Sequence, residues 1–233
     1  ERGAWRIRES LCRGLGDWCV EESKCGTMVD AVLLVRGVTC CVSVFFFFVR
    51  IRRPPSATQG RSSAASDVYK RQIEKIKTIG DAYMCVGGLP RTNHSHPFDT
   101  VLAALELQRY TKARNIEEAQ VNKPTWSIRI GIHSGSVIAG VIGKHKFAYD
   151  IWGDTVNVAS RMETACEPGK INISETTYSY IKDYFICTPR GKIPAKNIGE
   201  IEMFFVERIK PEFSEDADGF IPNNALRKIV SSL

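Results

Sequence analysis

The chain has 233 residues, 43% hydrophobic and 25% charged, with a formal net charge of +6 at pH 7. Residues 1–72 supply +5 of that charge and residues 73–233 only +1, so the basicity belongs to one end and marks no nucleic-acid surface. Five of the eight cysteines (Cys12, Cys19, Cys25, Cys40, Cys41) lie in that same end without Cys-x-x-Cys spacing, which excludes a disulfide framework there. The other three, Cys85, Cys166 and Cys187, are scattered and suit a reducing cytosol.

Residues 1–72 read as foreign to the rest of the chain. Val38–Val49 is apolar apart from Thr39 and Ser43 and includes the run Phe45–Phe48, but it has 12 residues. A membrane span needs roughly 20, and Arg36 interrupts the apolar stretch before it, so no span is expected. Glu1–Arg13 is strongly charged, unlike a signal peptide. Arg50–Gln72 looks like a translated sequencing-adapter peptide. The segment 1–72 is therefore expected to be non-homologous, artefactual or disordered.

From Ile73 the pattern becomes regular. Lys75-Ile76-Lys77-Thr78-Ile79-Gly80-Asp81-Ala82-Tyr83-Met84 predicts strand, tight turn, strand, with Gly80-Asp81 at the turn. Such a turn is usually only a turn; a carboxylate at a hairpin tip can also ligate a hard divalent cation. A polar loop, Gly87–His96, precedes a helix from about Pro97 to Gln120 with Pro97 in its first turn. Phe98, Val101, Leu102 and Leu105 form its core stripe. A strand pair is expected around Trp126–Ile142, followed by an arm at Gly143–Ile151.

Tyr149–Glu163 reads as a strand end running through Gly153 into a helix, with Asp154-Thr155 as N-cap. Asn157 and Arg161 fall at i and i+4, so an amide and a guanidinium share one helix face. Alone, they would read as a surface amide and a salt-bridged arginine. The geometry also suits a sugar oxygen and a phosphate near a helix start. A strand at Lys170–Ser174, a helix at Glu175–Tyr184 and a hairpin at Phe185–Ile209 follow. The tail 211–233 opens acidic and ends in the apolar-periodic piece Ala225–Val230. His133 is expected to be a hydrogen-bonded structural histidine, and Met84 and Met162 gap-fillers. Strands and helices mix without strict alternation, giving an α+β class.

These segments, with Arg129-Ile130-Gly131-Ile132-His133-Ser134-Gly135, Val137, Gly140, Pro168-Gly169-Lys170-Ile171 and Ser174-Glu175, resemble the catalytic domain of the class III nucleotidyl cyclases. The resemblance covers residues 73–210, and the GGDEF signature of diguanylate cyclases is absent. It implies a ferredoxin-like palm, here truncated at its N-terminus because the family's first strand, with its Phe-x-Asp-type metal aspartate, has no counterpart.

The resemblance implies two magnesium (or manganese) ions in the intact domain and attack of the ribose 3′-hydroxyl on the α-phosphate of a nucleoside triphosphate. By that likeness Asp81 is the second metal carboxylate, Asn157 orients the ribose, and Arg161 stabilises the α-phosphate. Lys196 grips the terminal phosphates, although Asn197 stands where the family usually has glycine. Lys77 donates and Asp150 accepts, which complements adenine, whereas guanylate cyclases carry Glu and Cys or similar there; ATP is the expected substrate. Members of both half-sites lie in one chain, which implies a homodimer.

The expected protein is thus a cytoplasmic adenylate cyclase, or the cytoplasmic part of a membrane protein, with this chain a truncated and inactive fragment. A non-catalytic nucleotide-binding palm and a guanylate cyclase are the alternatives. An RNA-binding sheet is disfavoured by near-neutral charge.

Overall fold

The computed structural model describes residues 42–48, 73–79, 82–125, 127–142, 148–195 and 199–233, with the backbone alone at 42–48 and 195. The strands of its main sheet are β1 (Val42–Phe48), β2 (Ile73–Ile79), β3 (Ala82–Gly87), β4 (Arg129–Gly135), β7 (Ile171–Ser174), β8 (Phe185–Ala195) and β9 (Gly199–Ile209). These seven lie in the order β2-β3-β1-β4-β7-β9-β8. Strands β5 (Ile138–Ile142) and β6 (Ala148–Trp152) make a separate two-stranded arm. The helices are α1 (His96–Gln120), α2 (Asp154–Thr164), α3 (Glu175–Ile181) and α4 (Asn224–Ser231).

β1 runs antiparallel to both β3 and β4, so β3 and β4 run parallel to each other with α1 as their crossover. That is a split βαβ unit, the signature of a ferredoxin-like palm. The slot between β3 and β4 is filled by β1, a strand from within the segment 1–72. Phe45 pairs by register with Cys85 on one side and Ile132 on the other. An unpaired slot between two strands leaves two rows of backbone donors and acceptors unsatisfied, and an apolar β-prone run answers both.

Alternation on the strands sorts the core into two layers. Ile130, Ile132, Ile171, Ile173, Phe204 and Val206 face α1 and α3, meeting Val101, Leu102, Leu105 and Ile181. The opposite face receives α2, whose Val158 and Met162 meet Ile201 and Met203. Met84, Val86, Ala139, Ile151 and Ala159 continue that layer under the arm. The helical stripe and both methionines are thus buried as expected.

The strand pair expected around Trp126–Ile142 is a correction. β4 belongs to the main sheet, while β5 pairs with β6, Gly140 opposite Asp150. The chain leaves the sheet after Gly135 because the next two strands serve the arm.

The tail is also more than a loose end. Leu226 on α4 is fully buried in the α1 layer, with Phe213, Phe220 and Val230 against it. Asn223 caps α4 by accepting from the Leu226 N–H at 3.1 Å. Asp216 pins the preceding loop by accepting from the amides of Phe220 and Ile221. Those bonds favour its charged form and hold its carboxyl below the ordinary range against the opposing effect of desolvation.

Candidate functional site

The site is built where α2 leaves the arm and crosses the sheet. Gly153, with φ 137°, turns the chain from β6 into α2, a conformation open to glycine. No side chain caps the helix start, which corrects the expected Asp154-Thr155 cap. Asp154 is already the first helical residue, and the Thr155 hydroxyl donates to the Ser136 carbonyl at 2.6 Å, tying α2 to the β4–β5 connection. Close approach to the sheet is set by two glycines on one face of β4. A Cβ at Gly131 would stand 2.1 Å from the Glu163 nitrogen, and one at Gly135 2.6 Å from the Thr155 hydroxyl.

Seated that way, α2 turns Val158, Ala159 and Met162 inward and leaves Asn157 and Arg161 exposed on the outer side. The Arg161 Nη1 donates to the Pro194 carbonyl of β8 at 2.7 Å. That contact uses one of the five guanidinium N–H groups and leaves the rest available to an anion.

Lys77 and Asp150 are brought together from distant positions. The Lys77 Nζ lies 2.6 Å from Asp150 Oδ2, and Asp150 Oδ1 accepts from the Ile151 amide at 2.9 Å. A bulge makes this meeting possible. Lys75 is paired with Cys85, in the α1 layer, yet Lys77 is paired with Met84, in the layer beneath the arm. Strict alternation would have put both lysines on the α1 side; the register shift between them re-aims Lys77 toward β6. Lys75 instead sits over the Tyr83 ring, 4.7 Å from its centroid. The result is one donor and one anchored acceptor side by side.

Asp81 and Lys196 lie outside the described residues. Among the described residues no three His, Cys, Asp or Glu side chains group as metal ligands. β1 reads Val-Ser-Val-Phe-Phe-Phe-Phe, without a carboxylate. The donor set among the described residues does not fit a two-ion centre, which requires paired carboxylates.

Other reactive groups are structural. His133 Nδ1 is 2.7 Å from the Ser174 hydroxyl, as expected of a structural histidine. Burial lowers its pKa to about 4, so its ring is neutral. Burial also pushes Cys85 and Cys187 up to about 12 and Cys166 to about 11, which leaves them protonated thiols.

Sequence reasoning missed a cluster behind α2. Glu163, 2% exposed, pairs with the Arg129 Nε at 3.1 Å. Asn172, fully buried, donates to the Met162 carbonyl at 2.7 Å. Glu163 and Asn172 occupy polar positions whose burial is legible only once α2 is laid on β4 and β7.

The sequence model of the adenylate and guanylate cyclase catalytic domain matches residues 64–208. The chain belongs to that family, the class III nucleotidyl cyclases, which are lyases that generally use divalent metal ions. It is 38% identical to an adenylate cyclase of Mycobacterium tuberculosis over 139 residues, 60% of this chain and 30% of that protein. It is 36% identical to a receptor-type guanylate cyclase of Caenorhabditis elegans over 158 residues, 66% of this chain and 14% of that one. The chain therefore spans less than a third of the length of these relatives. Among solved structures it resembles the guanylate cyclase domain of RhGC from Catenaria anguillulae in complex with GTP. There the TM-score is 0.63 and the identity 30%, over 73% of this chain and 97% of that domain. Among the described residues no helix is long and apolar enough to cross a membrane.

Proposed function

We propose that the chain is part of an adenylate cyclase, forming cyclic AMP and pyrophosphate from ATP. The observation that carries this reading is the Lys77–Asp150 pair. Adenine offers an acceptor at N1 and a donor at its 6-amino group, and guanine reverses both. A lysine beside a carboxylate meets adenine with a partner for each edge atom. With guanine, N1–H faces the ammonium and O6 faces the carboxylate, at about 1–3 kcal/mol for each mismatched group.

Around the base, Asn157 orients the ribose, and the free guanidinium N–H groups of Arg161 meet the α-phosphate as its charge grows. Lys196 holds the terminal phosphates. The magnesium or manganese pair, with Asp81 as one ligand, belongs to the intact domain, whose first strand supplies the carboxylate that Val42–Phe48 lacks. The intact protein works as a cytoplasmic homodimer, each palm completing the other's site.

The test replaces residues 1–72 with a cyclase-type first strand and its two helices and assays both products. Cyclic AMP from ATP, well above cyclic GMP from GTP, is expected. Equal or greater cyclic GMP formation would overturn the assignment.

A further inference from the structure

The cluster behind α2 has a place in this site that its own chemistry explains. Glu163 is a carboxylate 2% exposed between a helix and a sheet, and its charge is answered by Arg129 of β4 at 3.1 Å. Its Oε2 also accepts from the Thr164 hydroxyl at 3.3 Å. One residue back, the last turn of α2 opens: the Cys166 amide donates to the Glu163 carbonyl, and the Met162 carbonyl is met by the Asn172 side-chain amide instead. Helix ends leave carbonyls without helical partners, and here a neighbouring strand supplies one. Directly beneath, Gly131 admits the helix backbone at a distance no larger residue allows.

These contacts come from two adjacent, parallel strands, β4 and β7, and they grip α2 at its C-terminal turn. An ion pair, a carbonyl cap and a backbone-to-backbone seat together leave the helix one rotation about its axis. The outer face that this rotation sets is the face of Asn157 and Arg161. Core apolar contacts alone tolerate small rotations; the Asn172–Met162 hydrogen bond is directional, and the Glu163–Arg129 pair, an ion pair outside hydrogen-bond geometry, holds the buried carboxylate beside β4.

We infer that Glu163, Arg129 and Asn172 are positioning residues that fix the rotation of α2 and thereby aim Arg161 and Asn157 at the nucleotide phosphates and ribose. This rests on the proposed adenylate cyclase site, in which Lys77 and Asp150, on β2 and β6, hold the base independently of α2.

That separation supplies the test. ATP and adenine share the base and differ in the ribose and phosphates, so the ratio of their affinities isolates what α2 contributes. The full 233-residue chain, its Glu163→Met and Glu163→Gln variants and an Arg161→Ala control are titrated with ATP and with adenine, with circular dichroism to establish folding. Methionine keeps the volume and removes the pairing; glutamine keeps the shape and an acceptor for the Thr164 hydroxyl. Glu163→Met is expected to lower the ATP-to-adenine affinity ratio at least about tenfold, with adenine affinity unchanged and Glu163→Gln restoring most of the ratio. Asn172→Val, which deletes the carbonyl cap and leaves the ion pair in place, is expected to act in the same direction and serves if Glu163→Met does not fold. An unchanged ratio in folded variants, or a parallel loss of ATP and adenine affinity, would overturn the inference while Arg161→Ala still lowers the ratio. If Arg161→Ala leaves the ratio unchanged as well, the site reading fails and the inference falls with it.

Discussion

Inverting the base-reading pair gives a test whose size follows from the geometry. In Lys77→Glu with Asp150→Cys, the donor beside β6 becomes an acceptor and the anchored acceptor becomes a weak donor. The Lys77 side chain is 42% exposed and that of Asp150 16%, so water softens the mismatch and the low end of the usual range applies. About 1 kcal/mol at each position gives a preference of about 2 kcal/mol, or about thirtyfold, for ATP in the native chain and for GTP in the double variant. The ion pair itself adds little to stability at that exposure, so the double variant should fold, with a small loss because a thiol at position 150 no longer accepts from the Ile151 amide. Competition of ATP and GTP against a fluorescent nucleotide on the purified chain reads the ratio. A ratio that does not move, with both proteins folded, would refute the two-residue account of base choice.

Four other outcomes are expected. Arg161→Ala, made in a domain with a cyclase-type first strand, should lower kcat far more than it raises KM, because its contact strengthens as charge builds on the α-phosphate; steady-state kinetics distinguish this from a pure KM effect. Gly131→Ala should destabilise by about 2–3 kcal/mol or more, since its Cβ would stand 2.1 Å from the Glu163 nitrogen and α2 must move, measurable by urea unfolding. His133 is depressed to about 4 from an unfolded value of 6.5, so the unfolded chain binds the proton first. The stability it contributes is complete above pH 6.5 and is lost as pH falls toward 4, by about 3 kcal/mol at most; urea midpoints at pH 7 and pH 4.5, compared with His133→Asn, read that slope. The chain as written should make little or no cyclic AMP with magnesium or manganese, because β1 brings no carboxylate; robust Asp81-dependent turnover would contradict this.

Much of the architecture was legible because it rests on local signals. The helix opening at Pro97, the hairpin strands around Gly80-Asp81 and the α2 face with Asn157 and Arg161 all follow from period and from proline or glycine. Three features were not legible, each because a tertiary contact decides it. The β5–β6 arm looks like a continuation of β4 until the sheet order shows β7 taking the place beside β4. Lys77 lies two residues after Lys75 and would share its face but for a bulge that no residue in Lys75-Ile76-Lys77 announces. Val42–Phe48 carries a β-prone pattern in a segment of foreign composition, and only the open slot between β3 and β4 gives it a partner on both sides. Of the site residues, Lys77 and Asp150 lie 2.6 Å apart and Arg161 reaches Pro194, two contacts the sequence did not announce. Asp81 and Lys196 lie outside the described residues.

The central claim is that this palm prefers adenine through Lys77 and Asp150, and one binding measurement addresses it directly. The unmodified chain is titrated with ATP and with GTP, each displacing the same fluorescent nucleotide, beside Asp150→Ala. The account predicts displacement by ATP at clearly lower concentration than by GTP, and a collapse of that difference in Asp150→Ala with the fold intact. Equal displacement by the two nucleotides, or a preference for ATP that survives loss of the Asp150 carboxylate, would contradict it.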